Sequence, residues 1–301
     1  MQNEQNILLA YRAIKKNKGS KTKGVNSTTI VEMGEKQPEE LIAYVRKRLQ
    51  NFHPHAVRRV EIPKPDGRMR PLGIPTMEDR IVQQCIKQVL EPICEAKFYK
   101  HSYGFRPNRS AHHAVARAMF LVNISKYRYV VDVDIKGFFD NVDHGKLLKQ
   151  LWTLGIRDKQ LLCVLSKMLK APIQGEGVPT KGVPQGGILS PLLSNVVLNE
   201  LDWWISSQWG TFPTKTNYTH DLSRYQNLRR TSRMKEISIV RYADDFKLFC
   251  KCRSDAVKIF AAATMWLKER LGLDISPEKS KIVNLKKEYS DFLGFKLKLR
   301  P

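Results

Sequence analysis

The chain has 301 residues, 42% hydrophobic and 27% charged, which suits one large domain or two lobes on a shared core and excludes a disordered chain. Its net charge is +23, from 52 Lys+Arg against 29 Asp+Glu. A balance this lopsided opposes compaction unless a polyanion offsets it, so RNA or DNA is the natural partner.

The first expected element is a helix over residues 5–17, running into a basic loop at Lys15, Lys16 and Lys18. A second helix is predicted over 38–51. Residues 57–63 and 68–74 flank Pro65-Asp66-Gly67, a turn signal that reads as a hairpin. Ile81, Val82, Cys85, Ile86, Val89 and Leu90 recur at helical spacing, which predicts a helix over about 78–97. Ser110 caps an expected helix over 111–125. Tyr129 to Ile135 is a β-rich run, followed by helices at 144–153, 158–169 and 189–207. Ile237 to Tyr242 and Phe246 to Lys251 are two β-rich runs around a tight turn. Ser254 is the expected cap of a helix over 255–270, and Phe292 to Leu299 reads as a final strand pair or half-hairpin. Strands interleaved with helices imply an α+β sheet with helices on one face.

The cysteines Cys85, Cys94, Cys163, Cys250 and Cys252 form no CxxC pair and no zinc spacing. They point to reduced thiols in a cytoplasmic compartment. The start Met1-Gln2-Asn3-Glu4 lacks the basic opening of a signal peptide. The most apolar long stretch, 186–198, is broken by Ser190, Pro191 and Asn195, so no membrane span is expected. The basic residues are spread along the whole chain with no long basic amphipathic helix, which argues against a membrane-surface binder.

The chemistry is carried by carboxylates. Asp244-Asp245 interrupt two apolar runs, where the plain reading is a polar turn. Converging carboxylates at such a turn also suit a two-metal phosphoryl-transfer site. Asp132 and Asp134 share one face of the earlier strand and repel each other unless a cation sits there. Composition leaves open which of the two is used.

The blocks then line up with a known family. Pro63-Lys64-Pro65-Asp66-Gly67-Arg68-Met69-Arg70-Pro71, Ser102-Tyr103-Gly104-Phe105-Arg106-Pro107, Asp134-Ile135-Lys136-Gly137-Phe138-Phe139-Asp140, Gly182-Val183-Pro184-Gln185-Gly186-Gly187 and Tyr242-Ala243-Asp244-Asp245 occur in order. The chain resembles the reverse transcriptase domain of a group II intron-encoded protein, of the maturase family, from about residue 5 to the end. The resemblance implies an RNA-directed DNA polymerase that also binds intron RNA to aid splicing and retrohoming. It implies two Mg²⁺ ions held by the catalytic Asp134, Asp244 and Asp245, with the Ile135 carbonyl as a further ligand. Asp132, Asp140 and Asp143 default to structural roles.

For the incoming dNTP the resemblance implies contacts from Arg58, Lys64, Arg70, Gln185 and Lys279, with Phe139 packed where a 2′-OH would clash. It places primer and template at Tyr242 and at Phe292, Leu293 and Gly294, a block like a primer grip. The plain alternatives are a buried aromatic hairpin for that block and core packing for Phe139. Residues 1–30 and 211–236 look like family-specific additions, in which Lys15, Lys16, Lys18, Arg229 and Arg230 are candidate RNA contacts. For 211–236 a flexible solvated loop is an equal alternative.

The expected fold is the fingers and palm of a right-hand polymerase, with an antiparallel palm sheet, packed helices and no thumb. Residues 1–98 and 142–185 are the expected fingers, and 99–141 with 186–301 the palm. Expected partners are structured intron RNA, an RNA template with a DNA primer, and dNTPs; homodimerisation is left open and no membrane is expected. The setting is a bacterial cytoplasm, on nucleic acid. A rival from another class is an RNA-binding splicing cofactor with little polymerase activity, and a rival within the class is a retron or diversity-generating retroelement enzyme.

Overall fold

The computed structural model describes residues 1–63, 67 and 69–300. In chain order the elements are α1 (Glu4–Lys15), α2 (Ile30–Gly34), α3 (Pro38–Gln50), β1 (Arg58–Pro63), β2 (Met69–Ile74), α4 (Met77–Glu95), α5 (Ala111–Met119), β3 (Tyr129–Val133) and α6 (Phe138–Asn141). They continue as α7 (His144–Thr153), α8 (Lys159–Leu169), α9 (Ser190–Ser207), α10 (Asp221–Thr231), β4 (Ile237–Tyr242), β5 (Asp245–Cys250), α11 (Arg253–Trp266), β6 (Lys281–Asn284), β7 (Ser290–Phe292) and β8 (Phe295–Leu297).

Local chemistry explains most of the helix starts. Side chains of Asn3, Thr76, Ser110, Asp143 and Asp158 each accept a backbone N–H in the first turn of the helix that follows. α3 begins with Pro38, whose missing N–H costs nothing there. Two expected helices end differently. α5 stops at Met119 and continues as a π turn over Phe120–Ile124, and α11 passes into a π turn over Leu267–Leu271. Apolar spacing does not separate an i→i+4 from an i→i+5 turn. The residue before α11 is Cys252, so Ser254 lies inside the first turn rather than capping it. Segment 211–236 holds α10, and β6 is a four-residue strand that the sequence reading missed.

The chain divides into two compact units. Unit 1 is Met1–Lys97 with Phe139–Val196; unit 2 is Phe98–Phe138 with Val197–Pro301. In unit 1, α1 packs on α3 and α4. Its buried Ile7, Ala10 and Ile14 meet a core that includes Leu41, Val45, Ile81 and Ile86. β1 and β2 form an antiparallel hairpin with Arg58 opposite Ile74 and Pro63 opposite Met69. Asp79 of α4 closes a buried contact with Arg48 and accepts the His55 N–H at 2.8 Å.

Unit 2 is built on an antiparallel sheet in the order β4-β5-β3-β6. Val130 of β3 pairs with Phe249 and Val283, and all three join a core with Ala114, Ala118, Leu121, Phe292 and Leu297. α5 and the β7–β8 hairpin supply that covering layer, while α11 packs against β3, β5 and β6. Period-2 alternation puts Asp132 on the same side as Val130, so the face that is apolar at one end of β3 turns acidic at the other.

Candidate active site

Five carboxylates line one end of the unit 2 sheet. Asp132, Asp134, Asp244 and Asp245 line a pocket of about 300 Å³ with Asp291, Lys247, Lys279 and Lys281. Asp134 follows the last residue of β3, and Asp245 begins β5 directly opposite Tyr242. The Asp134 N–H donates to Ser280 Oγ at 3.1 Å, and its carbonyl accepts the Ser276 N–H at 2.8 Å. Its carboxylate stands 3.6 Å from Lys279 Nζ. Ile135 is buried and bridges to Ile275.

The two acids of β3 differ in what they touch. Asp132 receives Lys247 Nζ at 2.6 Å, from the residue directly opposite on β5, and the Ser290 hydroxyl at 2.9 Å. Lys247 in turn lies 5.4 Å over the Phe292 ring. Asp132 is therefore locked into a charge pair, whereas Asp134 is half-open to the pocket. Asp245 reaches the surface at the pocket mouth but is closely ringed by protein. Desolvation raises its carboxyl pKa to about 6; Lys247 opposes that rise, and Asp244, Asp132 and Asp134 add to it. Such a cluster binds either protons or cations, since the like charges must be offset. Hard carboxylate oxygens suit a divalent ion such as Mg²⁺. Among the described residues no three such ligands already converge as a closed cage.

The turn that carries Asp244 is held from three sides. Ala243 has φ +59, a left-handed conformation that costs a non-glycine residue about 1–2 kcal/mol. Arg241 Nη1 donates to the Ala243 carbonyl at 2.7 Å. The same guanidinium is fully buried and binds Asp202 of α9 through Nε at 2.8 Å and Nη2 at 2.7 Å. The segment 101–104 runs alongside, with the Arg241 N–H on the His101 carbonyl and the Tyr103 N–H on the Arg241 carbonyl. Gly104 abuts the turn so closely that a Cβ there would overlap Ala243 N. Arg241, Asp202 and Gly104 were not singled out from the sequence as site residues. The available signal was Asp202, an acid inside the apolar helix run Val196, Val197, Leu198, Leu201, Ile205, which demands a buried cation.

The remaining candidates divide between the units. In unit 2, Tyr242 rests 6.5 Å from the Phe105 ring. Phe292 is 1% exposed and belongs to the core, so its ring has no access to a primer. The hairpin turns through Leu293-Gly294, at φ +53 and +84, the two-residue turn that suits antiparallel strands; Gly294 is exposed, while Leu293 is partly buried against the core. Arg229 is held bidentate by Glu236 at 2.8 Å, and Arg230 is exposed.

In unit 1, Lys64 lies outside the described residues, and Arg70 is exposed on β2. Arg58 donates to the Lys23 carbonyl at 2.8 and 3.1 Å, which ties it to the N-terminal segment. The Gln185 carbonyl accepts the Gly73 N–H at 2.6 Å, and Gly186 at φ +108 passes 2.7 Å from the Gly73 carbonyl, measured to a Cβ it lacks. That close crossing is what the glycines of the block allow. The Phe139 carbonyl accepts the Val183 N–H at 2.7 Å, and its ring is half-buried beside the buried Phe138. Lys15 lies 5.8 Å over the Tyr11 ring, and Lys16 and Lys18 are exposed. Among the described residues no helix is long and apolar enough to cross a membrane.

Comparison with known proteins agrees with this geometry. Residues 62–297 match the family "reverse transcriptase (RNA-dependent DNA polymerase)". Protein YkfC of Escherichia coli is 33% identical over 96% of this chain and 79% of its own length. The group II intron-encoded protein LtrA of Lactococcus lactis is 32% identical over 97% of this chain, which spans only 55% of LtrA. Among solved structures, apo telomerase from Candida tropicalis truncated from its C-terminal domain superposes with a TM-score of 0.55 over 85% of this chain and 57% of that one, at 14% identity. That likeness concerns the fold alone. Members of the matched family act with nucleic acids and generally use divalent metal ions. With its acidic pocket set at the end of an antiparallel α+β sheet, the chain belongs to the reverse transcriptase (RNA-dependent DNA polymerase) family, and its relatives include group II intron-encoded proteins.

Proposed function

We infer that this chain carries out RNA-templated DNA synthesis, with Asp134, Asp244 and Asp245 as the catalytic metal ligands and unit 2 as the palm. The observation that supports this reading most is the acidic pocket, which Asp134, Asp244 and Asp245 line together with Asp132 and Asp291. Two Mg²⁺ ions bound there would neutralise the triphosphate and the attacking primer oxygen. The protein's own part is orientation. Arg241 and Gly104 fix the Ala243 turn, and Ser280 and Ser276 fix the backbone at Asp134. Lys279, 3.6 Å from Asp134, supplies a positive charge for the pyrophosphate side of the reaction.

Unit 1 is proposed as the fingers. Lys64 and Arg70 would meet the triphosphate, Gln185 the nucleotide and template, and Phe139 the sugar, where an aromatic ring rejects a 2′-OH. Arg58, held on the Lys23 carbonyl through Nε and Nη2, would contribute through Nη1. Leu293-Gly294 would support the primer end through backbone. Lys15, Lys16, Lys18 and Arg230 would touch structured intron RNA, in support of splicing and retrohoming, on the analogy of the intron-encoded relatives. The cysteines are free, in keeping with a reducing cytoplasm.

The reading is tested by primer extension on an RNA template with dNTPs or NTPs. Phe139→Ala is expected to raise ribonucleotide incorporation by about 10-fold or more while dNTP use persists. Unchanged discrimination would remove Phe139 from the nucleotide site.

A further inference from the structure

At the other end of the same sheet lies a groove of about 1060 Å³, lined by Lys126, Arg128, Lys286, Lys296, Lys298 and Arg300, with Tyr289, Met119 and Leu299. Among the described residues no carboxylate lines it. Among the described residues none of the six cations forms an ion pair, whereas Arg59, Lys100, Arg229 and Arg270 elsewhere each hold a carboxylate within 2.8 Å. Six like charges around one concavity repel one another and gain most from a polyanion.

The walls of this groove are fixed by backbone hydrogen bonds. The Arg128 N–H donates to the Cys250 carbonyl at 3.1 Å, and the Arg128 carbonyl accepts the Leu285 N–H at 2.8 Å. The Leu299 N–H donates to the Leu285 carbonyl at 3.0 Å, and the Arg300 N–H to Asn123 Oδ1 at 3.1 Å. Beneath them lie Leu121, Val283, Leu285 and Leu297, all nearly inaccessible. The cations therefore stand at set positions on the ends of β3, β6 and β8. Tyr289 is 53% exposed, with Lys298 Nζ 4.6 Å and Lys296 Nζ 5.9 Å from its ring centre. Lysines laid on an aromatic ring beside open charge form a surface that takes phosphates and bases together.

We propose that this groove is a second nucleic-acid site, which holds the phosphate backbone of a duplex or structured strand apart from the catalytic pocket. Arg128 and Asp134 bracket β3, and six strand steps separate them by roughly 20 Å. A nucleic acid seated here is thus not the reacting primer end. The proposal borrows from the polymerase reading only the class of partner. The groove is concave and carries six cations around Met119, Leu299 and Tyr289, a shape and charge that fit an extended phosphate backbone better than the flat face of a lipid surface.

The test is binding by the triple variant Lys286→Gln, Lys296→Gln, Lys298→Gln, compared with the parent and with the same three positions changed to Arg. The probes are a long RNA hairpin, a DNA hairpin of the same sequence, and phosphatidylserine vesicles, each across a salt series. The Gln variant is expected to bind a hairpin at least about 10-fold more weakly, with a salt slope lower by about 2 to 3, and the Arg variant to bind like the parent. The RNA and DNA arms identify which backbone is held. Extension of a short primer–template at saturation should stay within about twofold, because the groove lies outside the pocket. Unchanged hairpin affinity and slope would overturn the proposal, as would a loss confined to the vesicles. If the triple variant unfolds, Arg128→Gln and Lys298→Gln singly carry the test, each lowering the slope by about 1. Failure of the polymerase reading would show in extension, not in these binding slopes.

Discussion

The two ends of the unit 2 sheet are built on opposite plans. At the acidic end nearly every group is anchored: Asp132 on Lys247, Arg241 on Asp202, the Ala243 carbonyl on Arg241, and Gly104 against the turn. At the basic end, among the described residues, no cation holds a carboxylate; Lys296 and Lys298 lie against the Tyr289 ring, and the backbone is tied down. The difference follows from what each end must do. Phosphoryl transfer demands ligand positions fixed to a fraction of an ångström, which requires packed support. Backbone binding demands only charge at roughly the right spacing, which exposed lysines and arginines supply.

Damage to a support should therefore hurt the acidic end far more than an equal change hurts the basic end. The largest effect on stability is expected from Asp202→Asn. It removes the carboxylate against a fully buried guanidinium, a loss of about 3–5 kcal/mol, readable as a lower urea midpoint at unchanged slope. A shift below about 1 kcal/mol would mean that the buried pair is not the keystone of the turn. Gly104→Ala should leave the protein folded but displace Ala243. Primer extension is expected to fall about 100-fold while hairpin binding stays within about twofold. Equal losses of both would dissolve the contrast.

A smaller effect comes from His101, whose carbonyl holds the Arg241 N–H. Burial depresses its imidazole to about 3, aided by Arg117, Lys100 and Arg109. The folded state thus binds this proton less readily than the unfolded chain, whose value is near 6.5. Its contribution to stability is full above about pH 6.5 and is lost as pH falls toward about 3. At pH 5 the loss should be about 1–2 kcal/mol. His101→Gln should flatten that part of the stability profile measured by urea titration. The smallest effect is at the basic end: Lys296→Gln alone should weaken hairpin binding only about twofold to fivefold.

The carboxylates, the hairpins and most helix starts were legible in the sequence because their signals are local. Asp244-Asp245 break two apolar runs, and Asp134 lies two residues from Asp132 on one strand face. Composition does not separate those acids and the family resemblance takes Asp134; the structure adds the physical reason, since Lys247, 115 positions away, takes Asp132 and leaves Asp134 half-open. Arg241 reads as an ordinary strand residue until Asp202 is seen beside it. Phe292 looks like a surface contact by motif, yet its ring is in the core, and of the turn that follows only Gly294 is exposed. The basic groove was invisible because its cations come from 126–128, 286 and 296–300, and β6, which brings two of these segments together, is too short to announce itself. The π turns after α5 and α11 escaped for a related reason, since one extra residue per turn leaves the apolar spacing intact over so short a run.

The central claim is that the acidic pocket is a working polymerase site, and Mg²⁺-dependent primer extension on an RNA template tests it most directly. Asp244→Asn keeps the shape of the turn and removes one charge from the pocket. The account predicts extension by the parent that requires Mg²⁺ and falls at least about 100-fold in the variant, with hairpin binding retained. Extension unaffected by Asp244→Asn, or absent from a folded parent that binds primer and template, would contradict it.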